Sequence, residues 1–382
     1  MVATDSPDAL SDAERRDRLR LIRSENVGPV TWRRLIDRYG SATRALAALP
    51  ALAAAGGRRG GVRIPTEAEA EAELAQLSRL GARMLVCGDR GYPARLATIE
   101  DPPATVSVIG DGALFSRRGI AIVGSRNASV NGRRLAERLA ADLGKAGFVI
   151  VSGLARGIDG AAHAAALATG TIAVVAGGID VVYPQEHVTL HAAISRQGAV
   201  VAEMPPGANP QARHFPRRNR IIAGLAEAVL VVEAAMRSGS LITARFALEQ
   251  GREVFAVPGS PLDSRSQGSN DLIRQGATLT ETADDVLRVL GGAATTSRRE
   301  TPIAPVVPPG APGDDPDPDD AARQRLAEAL SPSPVPIDDL IRLCRLPPAV
   351  IASILLEWEL AGRIERHAGN RVSLLTASIG WP

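Results

Sequence analysis

IAIVGSRNASVNGRRLAERLAADLGKAGFVIVSGLARGID, residues 120–159, is the stretch on which the fold turns. It holds two short apolar runs, 120–123 at its start and 148–151, each leading into glycine and serine. Between them lies an amphipathic segment of helix length, 130–145, with Ser129 in the position of a cap. Strands covered on both faces read as unbroken apolar runs, so this is a strand, a crossover helix and a parallel strand. The same alternation continues through runs at 172–175, 199–202, 229–232 and 254–257, which predicts a doubly wound, mostly parallel α/β sheet. Runs at 84–87 and 105–109 are placed to extend its edge.

Outside this core the composition changes. Seven prolines between Pro302 and Pro318, ending in Gly-Asp-Asp-Pro-Asp-Pro-Asp-Asp, predict a flexible linker over 291–320, because such a segment has too little apolar surface to bury. A weaker boundary, Gly56-Gly57-Arg58-Arg59-Gly60-Gly61, precedes a helix at about 67–80. The expected organisation is therefore a small all-helical domain at 1–60, the sheet domain at 61–290, the linker, and a last domain at 321–382. In the first, Asn26-Val27-Gly28-Pro29 stands between helical patterns. Helix-hairpin-helix units touch DNA phosphates through such a turn, although most glycine turns between helices only connect them. In the last, three helical stretches precede 362–366 and 371–375, which flank Gly369-Asn370, a pattern that predicts a winged helix. Its third helix, about 347–360, carries Glu357 and Glu359 but no Arg or Lys, so a protein-contact role stands beside groove reading.

Composition excludes several classes. With 45% hydrophobic and 23% charged residues the chain is globular, and 382 residues exceed one ordinary core. Lys plus Arg number 44 against 42 Asp plus Glu, so affinity for a polyanion has to come from how charge is arranged. Five Phe, three Tyr and three Trp are too few to stack base after base along a channel, so phosphate contacts must dominate any nucleic-acid binding. Cys87 and Cys344 are far apart and form no CxxC or Cys/His spacing, which argues against a disulfide or a zinc site and for the cytoplasm. No run approaches the roughly 18 apolar residues of a membrane span, and the first residues do not read as an export signal.

Ligands of open parallel sheets bind beyond the carboxyl ends of the strands. Here those ends run into Gly124-Ser125-Arg126, Ser152-Gly153-Leu154-Ala155-Arg156-Gly157, Gly177-Gly178-Ile179-Asp180 and Arg237-Ser238-Gly239-Ser240. Singly, such loops use Gly and Ser for geometry alone. Together they suggest a phosphate cradle of peptide N–H groups, hydroxyls and helix dipoles. The densest basic run is Arg213-His214-Phe215-Pro216-Arg217-Arg218-Asn219-Arg220. Guanidinium forks suit phosphate oxygens, Asn219 can reach phosphate or base, and Phe215 offers a ring. The alternative is a solvated loop, or arginines paired with Glu203, Glu227 or Glu233. No GxGxxG or GxxxxGK[ST] loop is present, so no nucleotide cofactor is expected.

Catalytic patterns are thin. Ser125, Ser152, Ser238 and Ser240 stand in no nucleophile elbow, and His163 reads as a helix residue supporting the preceding loop. Asp159 reads as a cap, and Asp180, Glu203 and Glu233 as counter-charges that make no metal site.

These residues resemble the DNA-processing protein A family, DprA or Smf. The likeness runs through Gly124-Ser125-Arg126, Ser152-Gly153-Leu154-Ala155-Arg156-Gly157-Ile158-Asp159 with His163, and Tyr183-Pro184. It continues in Phe215-Pro216-Arg217-Arg218-Asn219-Arg220-Ile221-Ile222-Ala223-Gly224, Val232-Glu233-Ala234, Arg237-Ser238-Gly239-Ser240, Glu249-Gln250-Gly251-Arg252 and Ala256-Val257-Pro258-Gly259. The resemblance implies an extended Rossmann-like core that binds single-stranded DNA without catalysis, forms a homodimer, and hands strands to the RecA recombinase in natural transformation. Strand-binding residues carried over are Arg126 with Gly124-Ser125, and Arg217, Arg218 and Arg220. Some relatives have a lysine after Tyr-Pro where this chain has Gln185, a gap that Arg156 is placed to fill. The family's dimer region corresponds to 270–279, where Leu272, Ile273 and Leu279 suit an interface or a core equally. The rival from another class is a nucleotide phosphoribohydrolase on the same fold, for whose PGGxGT-type loop Pro258-Gly259-Ser260-Pro261 is a poor substitute.

Overall fold

The computed structural model describes residues 10–292, 318–367 and 369–375. Of the linker expected over 291–320, residues 293–317 lie outside the described residues, as do 1–9 and 376–382 of the terminal domains. The described chain divides into two compact units, 72–292 in one and 10–71 with 318–375 in the other.

The first unit is a nine-stranded sheet. Its strands are β1 (Arg83–Val86), β2 (Thr105–Gly110), β3 (Gly119–Val123), β4 (Val149–Ser152), β5 (Thr171–Val175), β6 (Ala199–Ala202), β7 (Ala228–Val231), β8 (Glu253–Ala256) and β9 (Thr278–Leu279). They lie in the order β1-β2-β6-β5-β4-β3-β7-β8-β9. All neighbours are parallel except β1 with β2 and β2 with β6, so the two early runs do extend the edge, in antiparallel fashion. Alternate side chains serve opposite faces. Ala121, Val123, Val149, Val151, Ile172 and Val174 belong to one core, and Ile120, Ile122, Ile150, Leu230 and Phe255 to another. Both faces are apolar because helices cover both.

Among the described residues twelve α-helices precede the linker: α1 (Asp12–Arg23), α2 (Pro29–Tyr39), α3 (Ala42–Ala55), α4 (Glu67–Arg79), α5 (Ala94–Ala97), α6 (Val130–Lys145), α7 (Ile158–Ala166), α8 (Val188–Gln197), α9 (His214–Leu225), α10 (Gly239–Glu249), α11 (Gln267–Arg274) and α12 (Ala283–Gly292). Ser129 caps α6 by accepting from the Gly132 N–H at 2.8 Å. α9 positions the site: β6 lies three places to one side of β3 and β7 lies on its other side, so the connecting helix must cross the sheet. It runs against β3, β4 and β5 on the way and carries the basic run to their carboxyl ends.

In the second unit, α1 to α3 bury Leu19, Leu21, Trp32, Leu35 and Leu49. After the linker, α13 (Asp320–Ala329), α14 (Ile337–Cys344) and α15 (Pro348–Leu360) pack with a small sheet of β10 (Val335–Pro336), β11 (Ile364–His367) and β12 (Arg371–Leu374), ordered β10-β12-β11. This is a winged helix. α15 carries apolar residues around most of its circumference, as a helix with neighbours on more than one side does. Ile351, Ile354, Leu355 and Trp358 join the winged-helix core, while Ser353, Leu356 and Leu360 are equally buried outside that cluster, on a helix that α3 contacts.

Candidate nucleic-acid interface

A cleft of about 840 Å³ opens above the carboxyl ends of β3, β4 and β5. Each wall derives from the loop that follows a strand: Arg126 and Asn127 after β3, Gly153 to Gly157 after β4, Ala176 to His187 after β5, with Pro210, Phe215 and Arg218 arriving on or just before α9. Four arginines line it, Arg126, Arg133, Arg156 and Arg218, against two glutamates, Glu137 and Glu186. Phe215 and Arg218 are three residues apart and so share one side of α9. The Arg126 guanidinium lies 4.9 Å from the centre of the Phe215 ring, and Tyr183 meets that ring at 5.7 Å between centroids, tilted by 58°. Arg156 pairs with Glu186 at 2.9 Å on an exposed lip.

Arg218 differs from the other three. Only 6% of it is exposed, and its Nε is buried with no hydrogen-bond partner. Gly153 makes the space for it, since a Cβ there would fall on the Arg218 Nη1. Burial pulls this guanidinium down to about 10, and the nearby Asp159 charge resists the fall, so it stays cationic at neutral pH. The floor of the cleft is thus a desolvated cation without an ion-pair partner at contact distance among the described residues.

The peptide donors of the rim are differently employed from what the sequence suggests. Asp159, buried at the start of α7, accepts from the N–H groups of Gly153 at 3.1 Å and Ala155 at 3.3 Å. Glu233, just after β7, accepts from the Ser129 N–H at 2.9 Å and its hydroxyl at 2.5 Å, filling the amino end of α6. Asp180 takes the Gly207 N–H at 2.7 Å. At Gly153 and Ala155 an internal carboxylate takes peptide donors of the expected cradle, Glu233 fills the amino end of α6, and the cations that line the cleft are guanidinium groups.

Several expected site residues have structural work instead. Gly124 is small because a Cβ would approach Ile158 to 2.6 Å, and the buried Ser152 hydroxyl donates to the Ile122 carbonyl at 2.6 Å. Ser125 Oγ accepts from the Asn127 N–H at 3.2 Å on the approach to the cleft. Arg220 is the clearest correction: its guanidinium, 3% exposed, is held by Glu203 at 2.5 Å, one of the carboxylates named as alternative partners, and by Asp101 at 3.3 Å, which was not named. Arg217 is exposed but does not line the cleft. Asn219 donates to the Gly239 carbonyl at 3.1 Å, while Ser238 caps α10 and lies 2.6 Å from the Ser240 hydroxyl, all outside the cleft wall. Leu272 belongs to the core and Ile273 packs against it, leaving Leu279 as the exposed member of the expected interface.

The hydroxyls of Ser125, Ser152, Ser238 and Ser240 make their contacts to backbone or to one another and not to a histidine among the described residues. His163 is buried with Nδ1 2.7 Å from the Thr171 hydroxyl, and burial, helped by the charges of His187 and Arg218, pushes it down to about 3. Among the described residues no group of His, Cys, Asp or Glu is placed to hold a metal ion, and no helix is long and apolar enough to cross a membrane. Sequence reasoning missed Arg133 and Tyr183 as wall residues. The available signals were the second turn of the helix after the first glycine loop, and one of only three tyrosines beside a strand end.

Residues 83–291 match the family model of the DNA recombination-mediator protein A, residues 12–75 that of the DprA-like N-terminal HHH domain, and residues 310–370 that of the DprA winged helix domain. The DNA processing protein DprA of Bacillus subtilis (strain 168) is 46% identical over 220 residues, 57% of this chain and 74% of that protein. The solved structure of DprA from Streptococcus pneumoniae matches with a TM-score of 0.61 at 37% identity, over 73% of this chain and 98% of that one. DNA processing protein A from Helicobacter pylori, whose structure is described for its single-stranded DNA binding mode, matches with a TM-score of 0.51 at 28% identity, over 55% of this chain and 96% of that one. By its sheet domain and by both flanking modules, this chain belongs to the DNA recombination-mediator protein A family.

Proposed function

We propose that the chain binds single-stranded DNA without regard to sequence, through the cleft of the sheet domain, and delivers the strand to the RecA recombinase during recombination, natural transformation included. It acts as a cytoplasmic binder with no turnover and no cofactor. The observation that carries this reading is Arg218, a buried cation with an unpartnered Nε at the base of a cleft whose mouth holds Arg126 over Phe215. A backbone phosphate supplies the missing counter-charge, and the Phe215 and Tyr183 rings give a base a surface to rest on. The described single-strand binding of the Helicobacter pylori relative supports the same assignment. RecA delivery rests on family membership. Dimerisation of two such chains would put two clefts on one strand and raise avidity without new contacts.

The test is salt dependence. Each phosphate neutralised on a single strand contributes roughly −0.7 to the slope of log affinity against log salt, so Arg218→Ala and Arg126→Ala should each flatten that slope by about this amount. A wild-type slope in both variants would remove the site from this cleft. Turnover of nucleoside monophosphates by the purified protein would instead favour a phosphoribohydrolase. Against that rival, the loop at Gly259 is closed by Asn270, which accepts from its N–H at 3.0 Å and donates to its carbonyl at 2.8 Å.

A further inference from the structure

Winged-helix domains reach a duplex with their third helix, here α15, and duplex affinity rests on cations meeting phosphates. α15 offers none, since residues 348–360 contain two glutamates and no Arg or Lys. Its far side is also closed. The backbone of α3 ends against it so tightly that a Cβ on Gly56 would fall on the carbonyl oxygen of Glu357. Arg38 of α2 donates to the Ser353 hydroxyl at 3.3 Å, and Asn26 donates through Nδ2 to the Leu360 carbonyl at 3.1 Å. Arg363, stacked 4.6 Å from the Trp358 ring centre, returns a bond to the Gly56 carbonyl at 3.3 Å.

The turn at Asn26-Val27-Gly28 is engaged in the same contact. Beyond the Asn26 bond, a Cβ on Gly28 would sit 3.7 Å from a carboxylate oxygen of Glu359, which is itself paired with Arg366 at 2.6 Å, so the turn faces α15 where a helix-hairpin-helix turn would face phosphate. Each module therefore covers the other's nucleic-acid face.

We propose that α15 is a protein-docking helix whose partner is the α2–α3 region of this same chain, so that the winged helix binds its own N-terminal helices and does not enter a groove. The inference is independent of the cleft in the sheet domain.

The test uses the full chain. Ser353 is 4% exposed, whereas Ser333 lies on the surface of the same winged helix. A thiol introduced by Ser353→Cys should react with iodoacetamide at least about 100-fold more slowly than one introduced by Ser333→Cys, because reaction requires local opening. Adding Gly56→Leu, or the milder pair Asn26→Ala with Arg363→Ala, should bring the two rates together. Equal rates in the otherwise unaltered chain would overturn the proposal. So would a tenfold loss of affinity for a labelled duplex of about 20 base pairs on Ala352→Glu. That variant places a carboxylate on α15, and it should change duplex affinity by less than about twofold if the helix is not in a groove.

Discussion

Arg217, Arg218 and Arg220 lie within one turn of α9, and a helix advances about 100° per residue, so they leave it in different directions. Arg217 projects into solvent, Arg218 enters the cleft floor, and Arg220 is taken by Glu203 and Asp101. The sequence announces four arginines but cannot divide them, because the carboxylates that claim Arg220 come from 17 and 119 residues away. Arg220 and Arg218 should therefore behave oppositely. Arg220→Ala removes the buried guanidinium shared by Glu203 and Asp101 and should cost about 3–5 kcal/mol of stability in urea unfolding at neutral pH. The protein that remains folded should keep the wild-type salt slope on single-stranded DNA. A flattened slope would return Arg220 to the binding surface.

At the scale of elements, the strands were legible because burial on both faces leaves no room for polar alternation, and 120–123, 172–175 and 199–202 reappear within a residue or two as β3, β5 and β6. β9 and β10 were not, since two residues carry no period. The amino ends of α6 and α7 show a different limit. Glycine and serine correctly marked the turns, but their donors are consumed by carboxylates, Asp159 within the same loop and Glu233 from 104 residues beyond Ser129. Local sequence specifies the shape of such a socket, whereas tertiary structure decides what fills it. Ser129 both caps α6 and anchors Glu233. Ser129→Ala should lower stability by about 1–2 kcal/mol, at the upper end for a lost cap, in chemical denaturation. An effect below about 0.5 kcal/mol would mean that Glu233 holds the helix end alone.

For the molecule as a whole, the cleft lies entirely within one of the two compact units. A ligand that binds only the folded form stabilises it by RT ln(1 + [L]/Kd), about 2.7 kcal/mol at one hundred times Kd. Saturating oligonucleotide should slow amide hydrogen exchange in β3 to β5 and α9 by up to that equivalent, while amides of α13 to α15 keep their free-state rates. Equal protection of both sets would place nucleic acid on the second unit as well. The contact between Gly56 and Glu357 carries a practical lesson for anyone shortening this gene. Removing the first seventy residues takes away the end of α3 that packs on α15, and removing the last sixty takes away α15 itself, so either product invites aggregation. The two ends should be kept or discarded together.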